Sequence, residues 1–355
     1  MKKIKWIVPV FCLVVLFCYS GFAANRAVLA KPKSASICDH KRSVDFIKAV
    51  FPSDSKWEKF FPIAFSHPSC TGKKILSRAY LMESAKAYPS FCGSSSTERN
   101  LHELASFLAN VSLETNGAAE GKLDGGLCFA SEVGCDSAGA CCNYCKVDPP
   151  YNKAPKCDCS YYGRGALQIT NPYNYYEASI ELFGEKEKDM KKNQFYNDPA
   201  KILTGSNAWK ASLAFWVKHM GGFDKASQTT IKKQATAHDA ITSDGIDFGK
   251  TVEVINGNLE CGNPSAAFRK KTAGRIGYYK QYIAAFSSAC GISVSPTANI
   301  DCASTTPPPP PDERTSRCGV DWDTANKTCG KSCKTPDQCP TGEGCYASLD
   351  LAPCL

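Results

Sequence analysis

The chain has 355 residues, 43% of them hydrophobic, and 42 Lys and Arg residues against 34 Asp and Glu residues. Its formal net charge of +8 is too mild to indicate a protein that binds nucleic acid or an anionic membrane surface. A chain of this length can bury a large core and still carry a second, small module.

The N-terminus predicts a signal peptide over residues 1–23. Three lysines lie among the first five residues, an apolar run follows from Trp6, and Gly21, Ala23 and Ala24 offer small residues for cleavage. A retained membrane anchor is the alternative, although the run is barely long enough to span a bilayer. The mature chain could also begin nearer Ala30. We therefore predict a secreted, extracellular protein of net charge +5, because cleavage removes three lysines and no acidic residue.

Cysteine is abundant, with 21 residues in the whole chain. Cys12 and Cys18 leave with the signal peptide, so 19 remain, and in an exported protein most of these should form disulfides. The odd number means that one cysteine is free, that one joins another chain, or that cleavage occurs elsewhere.

Composition divides the rest of the chain into four parts. Residues 24–42 are predicted to be an ill-ordered leader, and 43–302 have the composition of an ordinary globular domain. Residues 303–313 include five consecutive prolines, which indicate a semi-rigid linker. Residues 314–355 are too few to bury much core and should be stapled by disulfides. The cysteines of this tail are Cys318, Cys329, Cys333, Cys339, Cys345 and Cys354.

The tail contains two aromatic residues that suit carbohydrate binding. Trp322 and Tyr346 could stack on sugar rings, and a linked module of this kind would raise the local concentration of the protein on an insoluble polymer. The alternative is a small stapled domain in which Trp322 forms the core.

The globular domain is predicted to be mainly α-helical. Ser95 and Glu98 fit a capping box, and apolar residues follow it at helical spacing as far as Val111. Residues 208–219 and 266–286 also have helical patterns, whereas strand signals are few. Residues 134–160 combine six cysteines with Gly, Asn and Pro, which indicates a disulfide-tied loop.

Residues 161–175 read YYGRGALQITNPYNY and form the most informative segment. Aromatic rings can cover the faces of sugar rings, while amides and hydroxyls bond to sugar hydroxyls. Upstream, Glu114 and Glu132 could supply the two carboxyl groups that cleavage of a glycosidic bond requires. Apolar neighbours of Glu114 would favour its protonated form, as suits a general acid. From the pattern alone, both could instead be surface glutamates, one at a helix end and one on a loop.

Five blocks of the sequence resemble the family-19 chitinases, in the order in which that family has them. The blocks are VSLETNG at 111–117, GLCFASE at 126–132, YYGRGALQIT at 161–170, VINGNLECG at 254–262 and AGRIGYYK at 273–280. The resemblance covers roughly residues 55–302. It implies a lysozyme-like, bilobal helical domain with a long cleft. It also implies inverting endo-hydrolysis of β-1,4-linked N-acetylglucosamine chains, with no metal or other cofactor.

The resemblance also implies roles for single residues. Glu114 matches the family's general acid, Glu132 its general base, and Thr170 a hydroxyl residue that holds the attacking water. The residues that match substrate-binding positions are Gln168, Tyr173, Asn174 and Asn256. Glu260 and Arg275 match a supporting charged pair. Two family disulfides match Cys70 with Cys128 and Cys261 with Cys302. Each supporting residue keeps a structural alternative: turn hydrogen bonds for the amides, core packing for Tyr162 and Tyr173, and a structural ion pair for Glu260 with Arg275.

Some positions depart from the family pattern. Leu113 stands where the family has a histidine, and the loop before Tyr161 is longer than in the plant enzymes. Cys142 and Cys145 in this loop have the spacing of a zinc pair, although disulfides are the better reading in an exported chain.

We expect a monomeric chitinase whose partner is chitin or its oligosaccharides. The rivals are a non-catalytic chitin-binding protein on the same scaffold and a muramidase that attacks peptidoglycan.

Overall fold

A computed structural model describes residues 36–302, except 117–124, 136–140, 146–150, 158–159, 219–222, 225–228, 231–235 and 244. It also describes four two-residue strands in the tail. The predicted signal peptide, the linker and the side chains of the tail module, including Trp322 and Tyr346, lie outside the described residues.

The described part of the chain is mainly helical, so this prediction is confirmed. Its α-helices are α1 Ser43–Val50, α2 Asp54–Phe60, α3 Pro62–Ser66, α4 Arg78–Ala87, α5 Thr97–Glu114, α6 Pro172–Phe183, α7 Gln194–Asn197, α8 Asn207–Lys218, α9 Ala237–Thr242, α10 Phe248–Glu260 and α11 Ala266–Ala289. Single 3-10 turns occupy Gly72–Lys74, Cys142–Cys145, Tyr151–Lys153, Glu185–Lys188 and Pro199–Leu203.

The strands form antiparallel pairs of two residues each. In the domain, β1 Phe223–Asp224 pairs with β2 Thr229–Thr230. In the tail, β3 Trp322–Asp323 pairs with β4 Thr328–Cys329, and β5 Cys345–Tyr346 pairs with β6 Pro353–Cys354. Among the described residues, no helix is both long enough and apolar enough to cross a membrane.

Helix α5 is the centre of the domain. Every residue from Asn100 to Ser112 is buried, so the helix is covered on all sides, and α11 packs along it. A helix surrounded in this way is held by tertiary contacts rather than by its own propensity. Because Glu114 is the last residue of α5, its position is set by a helix that the domain surrounds.

The start of α5 differs from the predicted capping box. The N-cap is Ser96, whose hydroxyl accepts a hydrogen bond from the Arg99 N–H at 3.3 Å. The buried Asn100 side chain bonds both the N–H and the C=O of Ser94, each at 2.9 Å, and this fixes the incoming chain. The helix therefore begins one residue later than predicted, and Arg99 occupies the third helical position in place of Glu98. The capping box of Ser95 with Glu98 is wrong.

The predicted boundary between leader and domain is also wrong. Cys38 is fully buried and forms a disulfide with Cys290, at the end of α11. The Ser36 hydroxyl donates to the Cys290 carbonyl at 2.9 Å. Residues 36–42 therefore belong to the folded domain. A covalent link across 252 positions leaves no trace in local composition, which is why the sequence did not reveal it.

Further disulfides join Cys70 to Cys128 and Cys261 to Cys302, the two pairs that the resemblance implied. Among the described cysteines, Cys92 is free and buried, which fits the odd cysteine count. Burial, and then the nearby charge of Glu103, raises the pKa of the Cys92 thiol well above its ordinary value. This thiol is therefore protected from oxidation by both burial and protonation.

Candidate functional site

Glu114 meets a buried cation from the neighbouring helix. Arg275 of α11 is 1% exposed, and its Nη2 donates to Glu114 Oε1 and, at 2.7 Å, to Glu260 Oε1. Its Nε donates to Glu260 Oε2 at 3.0 Å, and its Nη1 donates to Asn110 Oδ1 at 3.0 Å. The planar guanidinium thus holds two carboxylates and an amide in one fixed arrangement.

The electrostatics of this cluster favour the charged forms of its buried pair. Burial alone would lower the pKa of Arg275, but the charges of Glu114 and Glu260 outweigh it and raise that pKa. Burial raises the pKa of Glu260, but Arg275 and then the Asn256 amide outweigh it, so the net pKa is below the usual value. The pair is therefore ionised in the folded protein.

The surroundings of Glu114 differ from the sequence expectation. Its side chain is 21% exposed, and its direct partner is the Arg275 guanidinium rather than an apolar pocket. The apolar neighbours Phe107, Leu108 and Val111 are buried in the domain core. Helical periodicity identified those neighbours, but it carries no information about which cation another helix brings to the carboxylate.

Asn256 is attached to the same cluster. It lies at a kink inside α10, with φ −147° and ψ 25°, and its Nδ2 donates to Glu260 Oε1 at 2.7 Å. The residue predicted to bind substrate therefore also orients the supporting carboxylate. The two residues are four positions apart, a spacing that places side chains on the same face of a helix.

Residues 125–132 run beside the end of α5. The Leu127 N–H donates to Thr115 Oγ1 at 2.7 Å, and the Phe129 N–H donates to the Thr115 carbonyl at 2.9 Å. Gly126 has φ +81°, and a Cβ there would lie 2.3 Å from the Ser112 hydroxyl oxygen, so only glycine fits. These contacts bring Glu132 to the end of the helix that carries Glu114.

Glu132 receives a hydrogen bond on each carboxylate oxygen. The Gly163 N–H donates to Oε2 at 2.8 Å, and the Tyr144 hydroxyl donates to Oε1 at 2.8 Å. The Glu132 N–H in turn donates to the Gly163 carbonyl at 2.8 Å. A Cβ on Gly163 would lie 2.7 Å from Gln168 Oε1 and 3.3 Å from Glu132 Oε2. The glycine therefore allows the backbone to approach both side chains.

Tyr144 contacts the candidate base. Burial raises the pKa of its hydroxyl, the Glu132 charge and hydrogen bond raise it further, and the Glu114 charge adds a smaller increase. The hydrogen bond to Glu132 is the direct contact that Tyr144 makes with a candidate carboxylate. The sequence analysis missed Tyr144, because a tyrosine inside a cysteine-rich loop carries no motif of its own.

The turn Gly163-Arg164-Gly165 depends on buried aromatic residues. Arg164 lies over the Tyr162 ring, 3.7 Å from its centre, and donates to the Tyr175 hydroxyl at 2.9 Å. The Tyr175 hydroxyl donates to the Tyr162 carbonyl at 2.5 Å. Tyr161, Tyr162 and Tyr175 are all buried. These three rings therefore hold the turn together, and the core-packing alternative is right for Tyr162.

Four residues that follow the turn are half-buried and face outward in part: Gln168, Thr170, Tyr173 and Asn174. Gln168 has φ +49°, and its Nε2 donates to the Gly165 carbonyl at 2.8 Å, so it does stabilise the turn. Asn171 Nδ2 donates to the Thr170 hydroxyl at 3.3 Å and contacts the Tyr173 hydroxyl at 3.4 Å. The buried Oδ1 of Asn174 accepts no hydrogen bond within the described residues.

A cluster of possible metal ligands also occurs beside Glu132. Ligand atoms of Glu132, Cys135 and Cys141 lie within 4.8 Å of one another, but Cys135 and Cys141 are joined to each other in a disulfide. A cation would find no thiolate there. The zinc alternative concerned Cys142 and Cys145, whose side chains lie outside the described residues.

The globular domain is similar to known proteins. The family model described as chitinase class I matches residues 56–302. The endochitinase of Carica papaya is 30% identical over 246 residues, which cover 67% of this chain and 90% of that protein. The inactive chitinase-like protein 1 of Hevea brasiliensis is 28% identical over 242 residues, which cover 66% of this chain and 68% of that protein. The match to chitinase 2 of Oryza sativa subsp. japonica covers 63% of the length of that protein.

A solved structure is also similar. Chitinase C from Streptomyces griseus HUT6037 superimposes with a TM-score of 0.51 and 26% sequence identity. The superposition covers 70% of this chain and 96% of the Streptomyces chain. The helical domain described above therefore has the fold of that enzyme.

Proposed function

This chain belongs to the chitinase class I family of glycoside hydrolases, and on that basis we propose that it is a secreted endochitinase. It would cleave β-1,4 bonds between N-acetylglucosamine units by a single, inverting displacement. The observation that carries the proposal is that each candidate carboxylate is held in place, Glu114 by a buried guanidinium and Glu132 by two hydrogen-bond donors.

In this mechanism Glu114 is the general acid and protonates the leaving glycosidic oxygen. Glu132 is the general base and removes a proton from a water that attacks the anomeric carbon from the opposite face. Inverting enzymes hold the two carboxyl groups about 6.5–9.5 Å apart to leave room for that water. Thr170 would orient the water through its hydroxyl, which in this structure accepts a hydrogen bond from Asn171.

The substrate would be held by half-buried polar groups beside the two acids. Asn174 is one of them: its Oδ1 is buried and accepts no hydrogen bond within the described residues, and a turn of the side chain would let it accept one from a sugar hydroxyl or an acetamido N–H. Gln168, Tyr173 and Asn256 would contribute further contacts. Glu260 and Arg275 would act indirectly, by keeping Glu114 oriented.

The decisive test is to incubate the full chain with N-acetylglucosamine hexamer and to follow both the size and the anomeric form of the products. Internal cleavage that yields fresh α-anomer is the expected result. Products that keep the β-anomer would contradict direct attack by water, since a covalent intermediate retains configuration.

The similarity to an inactive chitinase-like protein keeps a non-catalytic, chitin-binding role as the second candidate. Both candidate carboxylates are present here, which favours the enzyme. Retention of the chain on chitin without any release of sugar would favour the binding protein. A muramidase would instead clear a suspension of bacterial walls and leave chitin oligomers intact.

The proposal extends to the parts of the chain around the domain. We propose that residues 1–23 direct export, that the domain ends near Cys302, and that 303–313 link it to a cysteine-rich module at 314–355. The short strand pairs β3–β4 and β5–β6 fit a small stapled module. Its attachment to chitin would keep the enzyme on an insoluble substrate.

A further inference from the structure

We propose that Tyr144 is a positioning residue that holds the Glu132 carboxylate in the orientation needed to accept a proton from water. This inference rests on the proposed function, because it assigns Tyr144 a part in the same reaction. It concerns a residue from the cysteine-rich loop, outside all the motif blocks of the sequence.

The geometry at Glu132 gives Tyr144 a defined task. The terminal torsion of a glutamate side chain is soft, so a carboxylate with one hydrogen-bond donor can still rotate. Here the Gly163 N–H contacts Oε2 and the Tyr144 hydroxyl contacts Oε1, both at 2.8 Å. With a donor on each oxygen, the plane of the carboxylate is determined. The first donor belongs to the backbone, so the second is the one that a side-chain substitution can remove.

The hydroxyl is also suited chemically to this task. Burial and the Glu132 charge raise its pKa, so the phenol keeps its proton and remains a donor throughout the neutral range. Its hydrogen bond to a carboxylate is charge-assisted and stronger than one between neutral groups.

The disulfide between Cys135 and Cys141 holds the segment that carries Tyr144. It joins two residues only six positions apart, directly after Glu132, and its sulfur atoms lie within 4.8 Å of the Glu132 carboxylate. Tyr144 lies three residues after Cys141, within the 3-10 turn Cys142–Cys145. The disulfide thus restricts the chain between the base and the residue that orients it.

The test compares Tyr144→Phe with the wild-type full chain on N-acetylglucosamine hexamer. The substitution keeps the ring and removes only the donor, so we expect kcat to fall about tenfold or more while KM stays within about twofold. A role in folding alone would lower thermal stability and leave the kcat of the folded fraction unchanged. A change in KM with normal kcat would make Tyr144 a substrate contact and overturn the inference.

Tyr176→Phe is the matched control. Tyr176 is also half-buried, but its hydroxyl donates to the Lys188 carbonyl at 2.6 Å, and it has no hydrogen bond to Glu132. Its removal should leave kcat and KM unchanged.

A double-mutant cycle tests the part played by the disulfide. Replacing Cys135 and Cys141 by Ser should lower kcat, and adding Tyr144→Phe should lower it little further, because both changes release the same hydrogen bond. Additive losses would show that the disulfide does not act through Tyr144. An inactive wild-type chain would overturn the proposed function and this inference together. An active wild-type chain with normal kcat in Tyr144→Phe would overturn this inference alone.

Discussion

The Arg275 guanidinium donates to Glu114 and Glu260 at once, and so couples the end of α5 to the end of α10 through a cation that is 1% exposed. Glu260 is 3% exposed and Glu114 is 21% exposed. Of the two carboxylates that Arg275 holds, one is therefore buried and the other reaches the surface. The same contact therefore contributes to stability on its inner side and orients the candidate acid on its outer side.

Removing the cation should destabilise the domain strongly. Arg275→Ala leaves Glu260 buried with an uncompensated charge, and breaking a buried pair in this way costs about 3–5 kcal/mol. Urea unfolding followed by circular dichroism measures the loss. Lys280→Ala is the matched control, because Lys280 lies on the exposed side of the same helix. If Arg275→Ala lowered the free energy of unfolding by less than about 1 kcal/mol, the ion pair between Arg275 and Glu260 would not be formed in solution.

Replacing either candidate carboxyl by its amide should abolish hydrolysis without unfolding the chain. Glu114→Gln and Glu132→Gln keep the shape of the side chain but remove the proton donor or acceptor, and such groups contribute about 10²–10⁴-fold to rate. Product release from the hexamer measures activity, and circular dichroism checks the fold. Near-normal turnover in either variant would refute its assigned role.

The close approach at Gly163 predicts a second effect on activity. Gly163→Ala places a Cβ 2.7 Å from Gln168 Oε1 and 3.3 Å from Glu132 Oε2, so one of these side chains must move. We expect kcat to fall about tenfold or more, since the base loses its orientation. Gly277→Ala is the control: a Cβ there meets no atom within 4 Å, and alanine suits a helix better than glycine. Equal activity in the two variants would contradict the crowding at Gly163.

The His238–Glu103 contact should make stability depend on pH. Burial would lower the pKa of His238, but the hydrogen bond and charge of Glu103 at 2.5 Å, with a contribution from Asp239, outweigh it and raise the pKa. The folded pKa thus lies above the unfolded value of about 6.5. The contact is fully stabilising below that value and weakens as pH rises through the folded pKa.

His238→Asn tests this sign, because it keeps an amide donor for Glu103 but cannot be charged. The free energy of unfolding that the substitution removes should be largest at pH 5–6 and should shrink towards pH 9. The difference between wild type and variant cancels other titrating groups, including His102, whose pKa burial lowers to about 4. A difference that grows with rising pH would show that the sign is wrong.

The tail module should matter only on insoluble substrate. A chain that ends after Cys302 should hydrolyse the soluble hexamer at the rate of the full chain, because the proposed site lies within residues 114–275. On insoluble chitin the shortened chain should be slower by about tenfold or more, since tethering raises the effective concentration of the domain on the polymer. Equal rates on both substrates would favour the alternative that the module is merely a small stapled domain.

The predictions that depended on local pattern agreed with the structure to within a few residues. Residues 208–219 and 266–286 correspond to α8 and α11, because helical periodicity reflects which side of a helix is buried. The cap of α5 was misplaced by one residue, because the Asn100 side chain, which fixes Ser94, belongs to the interior of the domain.

Sequence alone predicted the mainly helical class and the family correctly, because helical spacing and the order of motif blocks are properties of the linear chain. It also proposed Glu114 and Glu132 as the acid and the base, which stays a prediction. The tertiary structure decided what those acids touch: Arg275 rather than an apolar pocket at Glu114, and Tyr144 with Gly163 at Glu132. It also decided that Cys38 closes the domain on Cys290. These contacts join residues that are distant in the chain, and their geometry depends on how separate helices and loops pack, which no local pattern encodes.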